Sequence, residues 1–144
     1  MAEHIWSVLC YKGCLDKFTN QVSLLDVLDR ITIEPVEGME TEAAFPLQAD
    51  LVSLWYRSDW QVEESTKTRI RLRFPDGTWA SKDYVLDIDL TENPRNRTFV
   101  KMAVLPYEGE GVYRFIVEVL GTDGQWMPCA SVPLEMRLKQ SEPA

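Results

Sequence analysis

Gly109-Glu110-Gly111-Val112-Tyr113-Arg114-Phe115-Ile116-Val117-Glu118-Val119-Leu120-Gly121-Thr122-Asp123-Gly124-Gln125-Trp126 is the stretch that decides the fold. A glycine-framed corner opens it. Tyr113, Phe115, Val117 and Val119 then fall on one face of an extended chain. Val112, Arg114, Ile116, Glu118 and Leu120 fall on the other. Thr122-Asp123-Gly124-Gln125 is a turn signal, after which a new run begins. Period-two alternation bounded by Gly and Asp-Gly is the signature of a half-buried antiparallel strand and its hairpin.

The neighbouring runs extend this pattern. Met127–Leu138 follows the turn with Ala130, Val132, Leu134, Met136 and Leu138 in alternation. Upstream, Thr98–Leu105 places Thr98, Val100, Met102 and Val104 on one face. Trp79–Leu90 turns Tyr84, Leu86, Ile88 and Leu90 inward and Asp83, Val85, Asp87 and Asp89 outward. Lys67–Phe74 alternates cleanly, with Thr68, Ile70, Leu72 and Phe74 opposed to Lys67, Arg69, Arg71 and Arg73. Leu47–Arg57 is apolar on both sides, as is Ile5–Leu15, which reads as a central strand covered on both faces. Gln21–Ile33 slips register at Leu24-Leu25. A β-bulge or a short helical turn over Leu24–Arg30 accounts for that, and Ile31-Thr32-Ile33 favours one bulged strand. Pro35–Pro46 reads as a loop.

About eight short strands, polar turns and no long helix predict an all-β fold, an antiparallel two-sheet sandwich. Immunoglobulin-like and C2/jelly-roll-like arrangements both fit. Tyr113, just after the Gly-Glu-Gly corner, stands where a tyrosine corner would place it, whereas the Cys…Trp…Cys spacing of true immunoglobulin domains is absent. The chain of 144 residues suits one domain, placed at 1–139 with a C-terminal tail at 140–144.

The totals narrow the function classes. An apolar share of 45% with 10% aromatic residues is that of a globular protein. A net charge of −8 argues against a nucleic-acid partner. No run of about 18 apolar residues suggests a membrane span. Met1–Trp6 lacks the basic and apolar regions of a signal peptide. Three cysteines, Cys10, Cys14 and Cys129, fit free thiols in a reducing compartment better than a disulfide framework, so a cytoplasmic location is expected.

Each chemical constellation has an ordinary structural explanation. The stripe Lys67, Arg69, Arg71, Arg73 spaces cations about 7 Å apart along a strand and would suit an anion. The acids Asp83, Asp87 and Asp89 recur at the same period on the next strand and would neutralise it. A two-residue Asp76-Gly77 loop would set Ile70 against Asp83, so the charge pattern demands a longer loop or a bulge. His4 with Cys10, Cys14 and Cys129 makes a nominal zinc set, but Cys10 and Cys14 would lie about 13 Å apart on a strand. Asp16, Asp50, Asp59 and Asp123 sit at loop ends without a calcium-ligand run. The paired carboxylates Asp87 and Asp89 could act as acid and base, yet suit an exposed polar face. Phe45, Trp60, Trp79, Tyr107 and Trp126 lie near loops, where they would plug the core or form a binding platform. Trp60 is the least explained by packing.

At Val8-Leu9-Cys10-Tyr11, Asp16 and Asn20–Asp29, and again at Gly111–Val117 with Asp123-Gly124, the chain resembles a family of small bacterial proteins of unknown function. Members open with a cysteine, an acidic turn and a Ser-Leu-Ile-x-Val strand, and end with a Gly-x-Tyr-x-Phe-x-Val strand and an Asp-Gly hairpin. The resemblance implies a compact β-sandwich in a bacterial or phage setting and brings no catalytic residue.

The expectation is a non-catalytic cytosolic β-sandwich without a cofactor or metal. It would act in protein–protein interaction, as an accessory subunit or within a homo-oligomer, with Val112, Ile116 and Leu120 at the interface. The alternative is a module binding a carbohydrate or nucleotide through Trp60, Arg69, Arg71 and Arg73. A carboxylate-dependent enzyme ranks last.

Overall fold

A computed structural model describes residues 1–34 and 43–139. Nine strands and no helix occur among these residues: β1 (Glu3–Leu15), β2 (Val22–Val27), β3 (Arg30–Ile33), β4 (Ala43–Tyr56), β5 (Glu64–Arg73), β6 (Trp79–Leu90), β7 (Arg95–Tyr107), β8 (Gly111–Leu120) and β9 (Trp126–Leu138). No helix among them is long and apolar enough to cross a membrane. One sheet has the order β2-β1-β4-β7 and the other β3-β9-β8-β5-β6. The five-stranded sheet curls into half a barrel.

Period-two alternation builds the core. Ile70 and Leu72 of β5, Ile88 and Leu90 of β6, Tyr113–Val119 at every second residue of β8, and Leu134 and Met136 of β9 face one way. They meet Leu9 of β1, Leu51 and Trp55 of β4 and Val100 and Met102 of β7 from the other sheet. Each large side chain so buried contributes about 1.5–3 kcal/mol. The corner before β8 is pinned by Tyr113, whose hydroxyl donates to the Gly109 carbonyl at 2.8 Å and accepts the Glu108 N–H at 2.7 Å. Burial pushes the Tyr113 phenol up to about 12, so it stays protonated and able to donate.

The β5–β6 hairpin meets the charge-pattern requirement in both ways. Phe74 N–H bonds to the Thr78 carbonyl at 2.8 Å, enclosing Pro75, Asp76 and Gly77. Between the pairs Arg71↔Asp83 and Arg73↔Trp79 the chain takes four steps along β6 against two along β5. That bulge restores Arg71 opposite Asp83 and Lys67 opposite Asp87.

The sequence reading departs from the structure in several places, beginning with Ile5–Leu15, which is not covered on both faces because Ile5, Tyr11 and Leu15 are exposed. Gln21–Ile33 is not one bulged strand: β2 pairs with β1, whereas β3 joins the other sheet beside β9. The break falls at Leu28-Asp29, after β2 ends at Val27, where the Leu28 N–H bonds back to the Leu9 carbonyl at 2.8 Å. The β3–β9 pairing is parallel, so the sheets are not antiparallel throughout. Of the expected Pro35–Pro46 loop, residues 43–46 are strand and 35–42 lie outside the described residues, as does the tail at 140–144. Val104 is exposed and Leu105 buried, close to a register shift where β4 takes three steps from Pro46 to Ala49 against two on β7.

β1 pairs with β4 only as far as Cys10↔Asp50, while its pairing with β2 runs from Cys10↔Val27 to Leu15↔Val22. Beyond Cys10 this hairpin is therefore a two-stranded arm paired only within itself, with Phe18 fully exposed at its turn. Such ribbons are marginal alone. Gly13 anchors it: its N–H bonds to the buried Asp50 carboxylate at 2.9 Å, and a Cβ there would come within 2.9 Å of Val52 and 3.0 Å of Phe99. Gly13→Val is expected to cost about 1–3 kcal/mol in urea unfolding and to speed amide exchange first in the arm. Wild-type stability and exchange in this variant would show that the arm is not seated there.

Candidate functional site on the outer face of the five-stranded sheet

β5 and β8 lie side by side in the curled sheet, and their register sets Arg69 against Glu118, Arg71 against Ile116 and Arg73 against Arg114. These side chains all leave the core, because their neighbours in sequence are the buried Ile70, Leu72, Phe115 and Val117. Glu118 is only 4% exposed although it points outward. Two guanidinium groups cover it. Arg69 donates from Nε to Oε1 at 3.0 Å and from Nη2 to Oε2 at 3.1 Å. Arg71 donates to the same oxygens at 2.8 and 3.4 Å. Burial alone would raise the Glu118 pKa, but the hydrogen bonds and charges of Arg69 and Arg71 outweigh it and hold the carboxyl below its usual value.

Tryptophans close both ends of this cluster. The Arg69 guanidinium lies 4.8 Å from the Trp126 ring centre, and that of Arg71 lies 4.0 Å from Trp79. The resulting row, Trp126–Arg69–Glu118–Arg71–Trp79, fixes both arginines by charge and by stacking, with each cation–π contact worth about 0.5–1 kcal/mol where exposed. A register shift between Val117 and Glu118 leaves Cys129 without a partner across from β8. Its thiol donates to the Val117 carbonyl at 3.2 Å. Burial, then the charge of Glu118, pushes that thiol to about 11, so it is not a nucleophile near neutrality.

The other expected site residues are distributed as follows. Lys67 pairs with Asp87 at 3.5 Å, both exposed, a contact worth about 0–1 kcal/mol. Asp89 instead accepts from the Thr91 hydroxyl and N–H. Val112 is exposed, whereas Ile116 and Leu120 are half-buried on the same outer face. Trp60 does not join the arginine stripe. It packs edge-on against Tyr56 of β4 at 5.4 Å, and Arg95 of β7 lies 5.8 Å from its ring centre, both on the four-stranded sheet. Its carbonyl accepts from Arg57 at 2.9 Å. Among the remaining aromatics, Tyr107 is buried, and the side chain of Phe45 lies outside the described residues.

The nominal metal and catalytic groups have other partners. His4 Nε2 is hydrogen-bonded to Ser7 Oγ at 2.8 Å, and Ser7 to Ser53 at 2.7 Å. Burial lowers the His4 pKa. Cys10 donates to the Asp50 carbonyl at 3.6 Å. Asp16, Asp59 and Asp123 each accept a backbone N–H within their own turn. No group of three metal-ligating side chains occurs among the described residues.

No family model matches the chain, and no curated protein matches it either.

Reading the sequence set the arginines against acids of the following strand and named Trp79 and Trp126 only as loop aromatics, without bringing Glu118, Arg114 or either tryptophan to the stripe. A signal for Glu118 was present, as the one acid of a strand whose outer face otherwise carries Val112, Arg114, Ile116 and Leu120. Its pairing with β5 spans nearly fifty residues, beyond the reach of local alternation.

Glu118→Ala is expected to destabilise the chain by on the order of 3 kcal/mol, because two confined cations lose their common anion. Since the native pKa of Glu118 is lowered from 4.5, its stabilisation is complete above that value and is lost as pH falls through the native one. Chemical denaturation across about pH 2–6 is therefore expected to show a shallower acid limb for Glu118→Gln than for wild type. Parallel limbs would mean that the carboxylate contributes no charge-dependent stability.

Proposed function

We propose that the chain is an immunoglobulin-like β-sandwich that binds another protein through the outer face of its five-stranded sheet and catalyses no reaction. The immunoglobulin-like reading is supported by the order β1-β4-β7 against β9-β8-β5-β6, to which β2 and β3 add one edge strand each, and by chain crossings between sheets after β4, β6 and β7 beyond those after β2 and β3. Tyr113 adds a tyrosine corner at the start of the penultimate strand. The C2 and jelly-roll alternatives have no such marker. The cytoplasmic, bacterial or phage setting remains part of this reading, supported by three free cysteines and the family resemblance.

One observation carries the functional reading: the fixed row of two tryptophans and two arginines around Glu118, edged by exposed Val85 and Val112. Tryptophan and arginine dominate binding hot spots, and side chains held in place before contact lose little entropy on binding. Ile116 and Leu120 add apolar area on the same face. The partner is a second copy of the chain or a different protein. Light scattering over a concentration series detects the first, and hydrogen-exchange footprinting in host-cell extract detects both. Slowed exchange over β5 and β8 is expected for wild type, and its loss for a Trp79→Ala, Val112→Asp double variant. A monomer whose β5 and β8 exchange equally in extract and in buffer would defeat the reading.

A second reading, a carbohydrate or nucleotide site, is favoured by Trp60 alone, half-exposed between Tyr56 and Arg95. A thermal-shift screen against sugars and nucleotides would then give a hit that Trp60→Ala abolishes. A screen without hits removes this reading.

A further inference from the structure

The cations on the outer face fall into two classes. Arg69 and Arg71 share Glu118, and Lys67 has Asp87. For Arg73 and Arg114, no carboxylate among the described residues lies within ion-pair distance. Arg73 has the Trp79 ring at 5.6 Å, and Arg114 reaches the Ser131 hydroxyl at a long 3.4 Å. Both side chains are exposed, and the two stand directly opposite each other on β5 and β8. Cross-strand partners have Cβ atoms about 4.5–5.5 Å apart, and like charges so placed are destabilising. The chain therefore holds two cations together where folding gains nothing from the pair.

Their surroundings indicate what would offset the repulsion. Trp79 is opposite Arg73 on β6, and Pro133 is opposite Arg114 on β9. The row across the sheet thus runs Trp79, Arg73, Arg114, Pro133, and all four are exposed. Four adjacent strands span about 14 Å, which matches about four residues of extended chain and exceeds what a single small anion needs. An oxyanion in the middle and apolar groups at the ends complement this row. On a chain of net charge −8, such a spot is also a local reversal of sign that orients an approaching acidic group.

We propose that this row is a binding site for an acidic peptide segment of a partner protein, with a carboxylate received between Arg73 and Arg114 and flanking apolar side chains on Trp79 and Pro133. The proposal rests on the reading of this face as a protein contact and names the chemistry of what it contacts. Arg69 and Arg71 serve the site indirectly. Their shared carboxylate is already satisfied, and Arg71 holds the Trp79 ring in place.

The test uses the full isotope-labelled chain at low salt. The probe is a capped four-residue peptide of leucine, two glutamates and leucine, compared with its glutamine counterpart and with inorganic phosphate. Saturable shifts of the Arg73 and Arg114 Nε–H resonances are expected with the acidic peptide, at least fivefold weaker with either comparison ligand and abolished by Arg73→Gln with Arg114→Gln. A second readout needs no ligand: Arg114→Gln is expected to raise the melting temperature by about 1–4 °C through relief of repulsion. Absence of a peptide response overturns the proposal, as does an equal response to phosphate, which marks a simple anion site. A lowered melting temperature for Arg114→Gln overturns its electrostatic premise. If footprinting in extract still depends on Trp79 and Val112 when the peptide response is absent, the protein-contact reading stands and only the acidic-segment assignment fails.

Discussion

A carboxylate on the outer face of a sheet is ordinarily solvated, and Glu118 is not. Its burial is tolerable only because two guanidinium groups supply four hydrogen bonds to its two oxygens. Removing it from water without them would cost several kcal/mol. The arrangement also fixes how the strands align. A slip of one residue between β5 and β8 would turn the arginines toward Phe115 and Val117, inside the core. The clamp and the apolar face thus specify the same register independently, at the centre of the curled sheet. The shift at Cys129 and the stacking of Trp126 and Trp79 carry that constraint outward to β9 and β6.

What could be read from the sequence follows the range of the interactions involved. The faces of Lys67–Phe74, Trp79–Leu90 and Tyr113–Val119 were legible because alternation needs only neighbours a few residues away. The requirement for a bulge or longer turn between β5 and β6 was legible for the same reason, since a hairpin couples charge pattern to loop length. The Tyr113 corner bond spans four residues and was anticipated. The division of Gln21–Ile33 was not, because a distant partner, β9, decides it. The anion of the arginine stripe was missed on similar grounds: local spacing offered Asp83, Asp87 and Asp89, while the fold delivered Glu118 from β8.

The same contrast governs the polar groups elsewhere. His4, Ser7 and Ser53 form a chain of short hydrogen bonds at one end of the core, and Trp55 donates to Thr98 at 3.1 Å beside them. Burial penalises the charged imidazole and lowers the His4 pKa. Such chains satisfy donors that burial would otherwise strand, so the hydrogen bond to Ser7 and the contact with Trp55 give His4 a structural role. Asp50 has the corresponding role for the arm, accepting from Gly13 and lying 3.7 Å from Lys101. In these places polarity is consumed by structure.

Arg73 and Arg114 differ from all of these, and the difference is energetic. A paired or capped group lowers the free energy of the isolated chain, so its presence needs no external partner. Two exposed arginines set against each other raise it by a few tenths of a kcal/mol, and their exposure means that solvent screening moderates the cost without reversing its sign. The adjoining cluster cannot relieve them, because Arg69 and Arg71 share the single Glu118 carboxylate and leave one excess positive charge there. What began in the sequence as one basic stripe is therefore two devices built from the same residue type. Two arginines are spent on holding the sheet in register, and a third, joined by Arg114 from the next strand, is held facing outward by that same register. The constraint that makes the inner pair structural is thus what gives the outer pair a fixed geometry toward solvent.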